Sequence, residues 1–162
     1  MRTYKSKHIK DLEALAWEAK KQKHVGFPIE YLTKPEYSEK NANKLTTAII
    51  DYLKLSGHHA ERINTTGRYI DKKKVVSDCL GNKRTIGSGK WIPGTGQKGS
   101  ADISATVNGK SVKIEVKFGA DRQSEAQKEY QKQIEAAGGI YIIAKTFEGF
   151  INDLNNITWK EN

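Results

Sequence analysis

One cysteine, three prolines and one methionine stand in a chain of 162 residues. The lone Cys79 excludes an internal disulfide and a cysteine zinc cage, and is expected to serve as a small buried or half-buried hydrophobe. Long apolar runs are also missing. Nothing approaches the roughly 20 residues needed to span a bilayer, and the opening Met1-Arg2-Thr3-Tyr4-Lys5-Ser6-Lys7-His8 lacks the apolar stretch of a secretory signal. The expectation is a soluble, cytoplasmic protein. Acid is in deficit, with 28 Lys and Arg against 19 Asp and Glu, a net charge of +9 and a pI of about 9.5. That balance suits a polyanion partner, nucleic acid first and an anionic membrane surface second. No internal repeat or low-complexity tract is visible, and the length suits one core held without disulfide or structural metal.

What is present reads as a mixed α/β chain. Ile9, Leu12, Leu15, Ala16 and Ala19 recur at helical spacing from His8 to about Lys23. The segment 25–35 carries two prolines and reads as an irregular connector packing Phe27, Ile29 and Leu32. A boundary near 36 would then separate an N-terminal helical extension, 1–36, from a main domain, 37–162. Leu45, Ala48, Ile49, Tyr52 and Leu53 mark a second helix over 41–55, stopped by Gly57. A short strand is expected over 59–64. Residues 65–99 read as a long basic loop region holding a hairpin of 73–79 with 83–86. A polar helix over 123–137 ends at Gly138-Gly139 and feeds a strand over 140–144 that should be central and buried. Phe147, Phe150, Ile151 and Leu154 suggest a closing helix, with Trp159 anchoring the tail. A mixed sheet flanked by helices is the economical packing.

The most informative stretch is 101–117. Asn108-Gly109 lies between alternating apolar runs, the strongest short-range signal for a two-residue type I′ hairpin. Counting outward from that turn pairs Val107 with Lys110, Ile103 with Ile114, Ala101 with Val116 and Asp102 with Glu115. One face is then apolar and the other acidic. Asp102 and Glu115 fall on a close, non-hydrogen-bonded pair, where like charges destabilise a sheet unless a cation sits between them. A hard divalent metal would serve. Lys117 shares their face by the period of two. Such an Asp, Glu and Lys cluster suits phosphodiester hydrolysis, although Glu-x-Lys by itself is commonly an exposed, weakly paired strand face. A bulge near Gly99 or Gly119 would shift the register and remove the opposition.

Basic residues concentrate upstream of this hairpin. Arg62, Asn64, Arg68, Lys72, Lys73, Lys74, Lys83, Arg84, Lys90 and Lys98 could follow phosphates, and a solvated charged face is the plainer alternative. Ser100 and Arg122, flanking the paired strands, complete the candidate DNA contacts. Tyr69 and Trp91 could stack on an unpaired base or be packed inside. Two phosphate-binding patterns fail on inspection. Gly94-Thr95-Gly96-Gln97-Lys98-Gly99 precedes a strand and opens no helix, while Gly87-Ser88-Gly89-Lys90 has Trp91 where a P-loop needs Ser or Thr. No nucleotide cofactor is expected. The adjacent His58 and His59 point apart and suit a surface role better than a metal site.

The order Gly99-Ser100-Ala101-Asp102, Ile114-Glu115-Val116-Lys117, Ser124-Glu125-Ala126-Gln127 and Ala137-Gly138-Gly139-Ile140-Tyr141 resembles the VRR-NUC domain, the virus-type replication and repair nuclease of the PD-(D/E)XK superfamily. The resemblance covers roughly 42–150. It implies a restriction-endonuclease-like core and metal-dependent DNA cleavage, with Asp102, Glu115 and Lys117 as the catalytic acids and lysine and Gln127 as the polar residue of the following helix. Mg²⁺, with Mn²⁺ as substitute, would be held by Asp102, Glu115 and the carbonyl of Val116, with waters and a substrate phosphate completing its oxygen shell. Ser124 is a possible accessory group. Two departures stand out. Ser100-Ala101 replace the superfamily's proline before Asp102. Ala42, Asn43 and Lys44 stand where many relatives carry a first-helix glutamate, so that Asn43 would act as neutral ligand or water holder, or the metal would rely on Asp102 and Glu115 alone. By the same analogy the substrate is branched DNA in a phage or mobile-element setting, and a four-way junction would call for a homodimer. A duplex-nicking enzyme and a non-catalytic DNA-binding module are the rival readings, and an RNA binder is disfavoured.

Overall fold

The computed structural model describes residues 5–64, 67–94 and 96–158. It is a mixed α/β structure with a mixed sheet flanked by helices. Helix α1, Lys7–Lys23, is capped by Ser6, whose hydroxyl accepts from the Ile9 amide, and α2, Ala42–Leu55, by Asn41, which accepts from Lys44. Each cap precedes an amphipathic face. Ile9 and Leu12 of α1 join Leu45, Ala48, Ile49 and Leu53 of α2 in one buried core, so the apolar face of α1 is used within the chain. Each such large aliphatic contributes about 1.5–3 kcal/mol by its burial.

Four strands form the main sheet: β1, His59–Arg62; β6, Ile103–Val107; β7, Lys110–Val116; and β8, Ile140–Ala144, in the order β1-β6-β7-β8. Asn108 and Gly109 take φ of 48° and 80°, the turn their sequence asks for. The predicted register follows from Val107 opposite Lys110 as far as Ile103 opposite Ile114, where the β6–β7 ladder ends, so Asp102 and Glu115 lie just past its last paired residues and the Val116 amide donates to the Asp102 side chain. Alternation then sorts the side chains: Ile103, Ala105, Val107, Val112, Ile114 and Val116 enter the core beneath α1, α2 and α4, Phe147–Thr158. Helix α3, Glu125–Ala136, connects β7 to the parallel strand β8 and packs beside β8. Phe147, Phe150, Ile151 and Leu154 close the core as expected.

Four expectations need correction. Strand β8 is an edge of the described sheet, not central: its apolar run reflects burial of its core face, with Ile142 and Ala144 covered, rather than neighbours on both sides. Cys79 is exposed. Phe27 and Ile29 are also exposed, with Phe27 set edge-on to Tyr31, because the 3₁₀ turn Ile29–Tyr31 rides on the surface. The basic loop region is more ordered than expected. Strands β2, Arg68–Asp71, and β5, Gly89–Ile92, pair outside β3, Lys74–Ser77, and β4, Lys83–Ile86, making a two-tier ribbon. Trp159 lies outside the described residues.

Candidate active site

Several element ends meet at one end of the main sheet. The last residues of β1 and β7 and the first of β6 lie there, since Arg62 registers with Ile103, Ile103 with Ile114, and the Ile63 amide donates to the Asp102 carbonyl. The start of α3 is held at the same place. Its Ser124 and Gln127 form a reciprocal capping box, the Ser124 hydroxyl accepting from the Gln127 amide and the Gln127 carbonyl oxygen from the Ser124 amide. Gly99 takes a φ of 84°, and a β-carbon there would run into the Ala126 carbonyl; only glycine lets the loop before Asp102 lie against α3.

This convergence puts the predicted acids and lysine together. Glu115, on the polar face of β7, and Lys117, just past its end, are both buried, at 2% and 6% exposure, which a solvated strand face would not be. The Lys117 ammonium lies 3.0 Å from Glu115 Oε1 and donates at 3.0 Å to Gln127 Oε1, while the Gln127 amide donates to that same Glu115 oxygen. Glu115 Oε2 is buried with no hydrogen-bond partner. Asp102 is half-buried and turns its carboxylate onto the strand, Oδ2 accepting from the Val116 amide at 2.8 Å. The amide and carbonyl of one strand residue point the same way, so the Val116 carbonyl is directed toward the Asp102 side.

The charges are tuned accordingly. Burial pushes the Glu115 carboxyl above the usual carboxylate range, and the Asp102 charge adds to this against the opposing hydrogen bond from Lys117. Burial pulls the Lys117 ammonium down, but its hydrogen bond to Glu115 and the charges of Glu115 and Asp121 outweigh it, leaving its pKa raised. Lys117 therefore stays cationic at neutral pH.

Other predicted residues stand at varying distance. Arg62 donates to the Asn43 side chain at 2.7 Å, so Asn43 is engaged at the rim rather than aimed at the acids. Ser100 lies in the loop docked on α3, its hydroxyl donating to the Gln97 carbonyl, and Asn64 follows Ile63 at the edge of the site. Lys98 and Arg122 are exposed on either side. Arg68, Lys72, Lys73, Lys74, Lys83, Arg84 and Lys90 all lie on the ribbon, away from the acids but on a segment that leaves and re-enters the sheet at this same end.

Two participants were not anticipated. Asp121 Oδ2 lies 3.4 Å from Lys117, brought there by a turn with no periodic signal. Tyr141 shares the register of Lys113 on β8; burial, followed by the Glu115 charge, pushes its phenol well above its ordinary pKa. The β7–β8 pairing is what makes that proximity visible. Among the described residues no group of three or more His, Cys, Asp or Glu side chains could hold a metal. No helix among them is long and apolar enough to cross a membrane. No protein-family model matches the chain, and no curated protein matches it in sequence.

Proposed function

We propose that this chain is a Mg²⁺-dependent DNA endonuclease of the VRR-NUC type, with a restriction-endonuclease-like core, acting on branched DNA. One observation carries the reading: Glu115 presents a buried, unpartnered oxygen beside Asp102 while its other oxygen is saturated by Lys117 and Gln127. A buried acceptor without a partner costs about 1–3 kcal/mol, which calls for an explanation. A ligand position open to a hard cation supplies one.

The donor set fits such an ion. Glu115, Asp102 and the Val116 carbonyl offer oxygen only, and Mg²⁺ is commonly held by one or two carboxylates together with waters and substrate phosphate. Mn²⁺ would suit the same oxygens. When bound, the ion supplies Lewis-acid stabilisation of charge on the phosphate. The chain's own groups do the rest. Lys117, cationic and nearly dry, is placed to neutralise the developing phosphate charge and to orient the attacking water. Gln127 holds Lys117 and Glu115 in register and is itself locked by the α3 cap, a positioning role. The basic ribbon supplies phosphate contacts, and a two-stranded ribbon is narrow enough to enter a major groove.

Cleavage of a labelled panel of duplex, single strand, flap and four-way junction, in Mg²⁺, Mn²⁺ or chelator, tests this. Metal-dependent cutting with preference for the branched substrates is expected. Equal nicking of intact duplex would replace the branch specificity with a general nicking activity, and tight binding without cutting would make the chain a binding module.

A further inference from the structure

The ribbon 68–92 carries seven basic and two acidic residues, a net +5 of the chain's +9. It also carries two large aromatics that nothing buries. Tyr69 and Trp91 are direct cross-strand partners, 55% and 59% exposed. Their placement is specific. A β-carbon on Gly89 would collide with the Tyr69 ring, and one on Gly67 would come within 2.7 Å of the Trp91 ring. Each aromatic thus folds over a glycine across the ladder, Tyr69 over Gly89 in β5 and Trp91 over Gly67 just before β2, an arrangement that shields glycine backbone. One side of each ring is taken up by the ribbon, and more than half of each side chain still faces solvent.

Arg68 and Lys90 neighbour these rings in sequence and, by strand alternation, project from the opposite face of the ribbon, while Lys72, Lys73 and Lys74 continue the charge past the end of β2 and into β3. A narrow ribbon with an exposed aromatic face and cations on its other face and beyond its strand ends offers a single strand both elements it needs, bases stacking on the rings while the phosphates track the charge around the ribbon. Chain connectivity tethers the ribbon at the site. The ribbon leaves the sheet after Arg62 and returns before Ile103, the two residues paired at the end that holds Asp102.

Resting on the nuclease reading for its substrate class, we infer that Tyr69 and Trp91 form a stacking platform for the unpaired bases of a DNA strand, seated at the root of the ribbon so that a branch or frayed segment is presented beside the acids. The platform is a specificity element rather than part of the hydrolytic machinery. Charge complementarity selects the polyanion, and the aromatic pair selects its unstacked form over intact duplex.

Binding of a fluorescent oligothymidylate of about 15 nucleotides, measured by anisotropy in chelator, tests the platform without any turnover. Trp91→Leu keeps an apolar cover on Gly67 but removes the stacking face, and should weaken binding by about tenfold with the slope of log K against log salt unchanged. Trp91→Phe should stay within about threefold of the parent, because a ring remains. In a Trp17→Phe, Trp159→Phe background the remaining Trp91 fluorescence should be quenched on saturation. Parent-like affinity for Trp91→Leu, an equal loss with Leu and Phe, or unchanged fluorescence would each overturn the platform. These outcomes are independent of catalysis: a chain that cuts duplex yet ignores the oligonucleotide loses the platform and keeps the nuclease, and one that binds by stacking but cuts nothing does the reverse.

Discussion

Two regions of this molecule hold its functional groups in opposite ways. At the sheet end, Glu115, Lys117 and Gln127 are interlocked by hydrogen bonds, with both ionisable groups almost dry. On the ribbon, every residue from Asp71 to Ser88 is exposed, and among the described residues strands β2 to β5 pair only with one another. Chemistry on a phosphate gains from low local dielectric and fixed geometry. Capturing a long polyanion gains from reach and a spread of charge, at sites where burial would only add a desolvation cost. The two regions should therefore fail separately.

The largest separation is expected from Lys117→Ala. On the proposed reading, in which Lys117 supplies the cation that meets the phosphate, cleavage should fall by about 10³-fold or more, while junction affinity measured in Ca²⁺ stays within about threefold, one charge being a small part of the total. A comparable loss in both would mean that the two regions are not distinct. Replacing 68–92 with a short turn should do the reverse. Affinity near 0.15 M salt should drop by about 100-fold, and the melting temperature should move by no more than about 2 °C, because the ribbon adds nothing to the core. A milder form is alanine at Lys72, Lys73 and Lys74, which should flatten the salt dependence by about 0.9 for each phosphate that is no longer neutralised.

A glycine pair sharpens the contrast on stability. Gly99 and Gly81 have nearly the same φ, 84° and 83°, but a β-carbon on Gly99 meets the Ala126 carbonyl at 2.3 Å and one on Gly81 meets nothing within 4 Å. Gly99→Ala should cost roughly 3 kcal/mol, left-handed strain plus overpacking, whereas Gly81→Ala should cost about 1 kcal/mol, confined to the ribbon tip. Urea denaturation of both variants gives the comparison, and equal midpoints would contradict it.

The smallest effect is on the pH profile. Burial and Asp102 raise the Glu115 pKa, so its proton persists to higher pH than on an ordinary carboxylate and would compete with the proposed metal. Activity should decline on the acid side at correspondingly higher pH, and more Mg²⁺ should push that limb downward. A limb indifferent to Mg²⁺ would assign it to another group.

How far the sequence could be read follows the same divide. Asn108-Gly109 made the β6–β7 register countable, and with it the placing of Glu115 beside Lys117 on one face; periodicity made α1, α2 and α4 readable. The orientation of Gln127 was not readable from spacing, because it depends on how α3 docks, which Gly99 and the capping box decide. Strand β2 escaped detection because its four residues, Arg68-Tyr69-Ile70-Asp71, show no apolar alternation, and β5 because Gly87, Ser88 and Gly89 obscure its start. Cys79, Phe27 and Ile29 were misplaced by equating apolar character with burial, a rule that fails on loops and ribbon tips.

The most direct test of the central claim is single-turnover cleavage of a four-way junction in Mg²⁺ by the parent chain and by Glu115→Gln. The substitution keeps the size and most hydrogen bonds of residue 115 but removes the charge that would hold the ion. Metal-dependent cutting by the parent, lost by about 10³-fold in the variant with junction binding intact, is the predicted result. Equal cutting by both proteins would show that the buried Glu115 oxygen plays no part in the reaction.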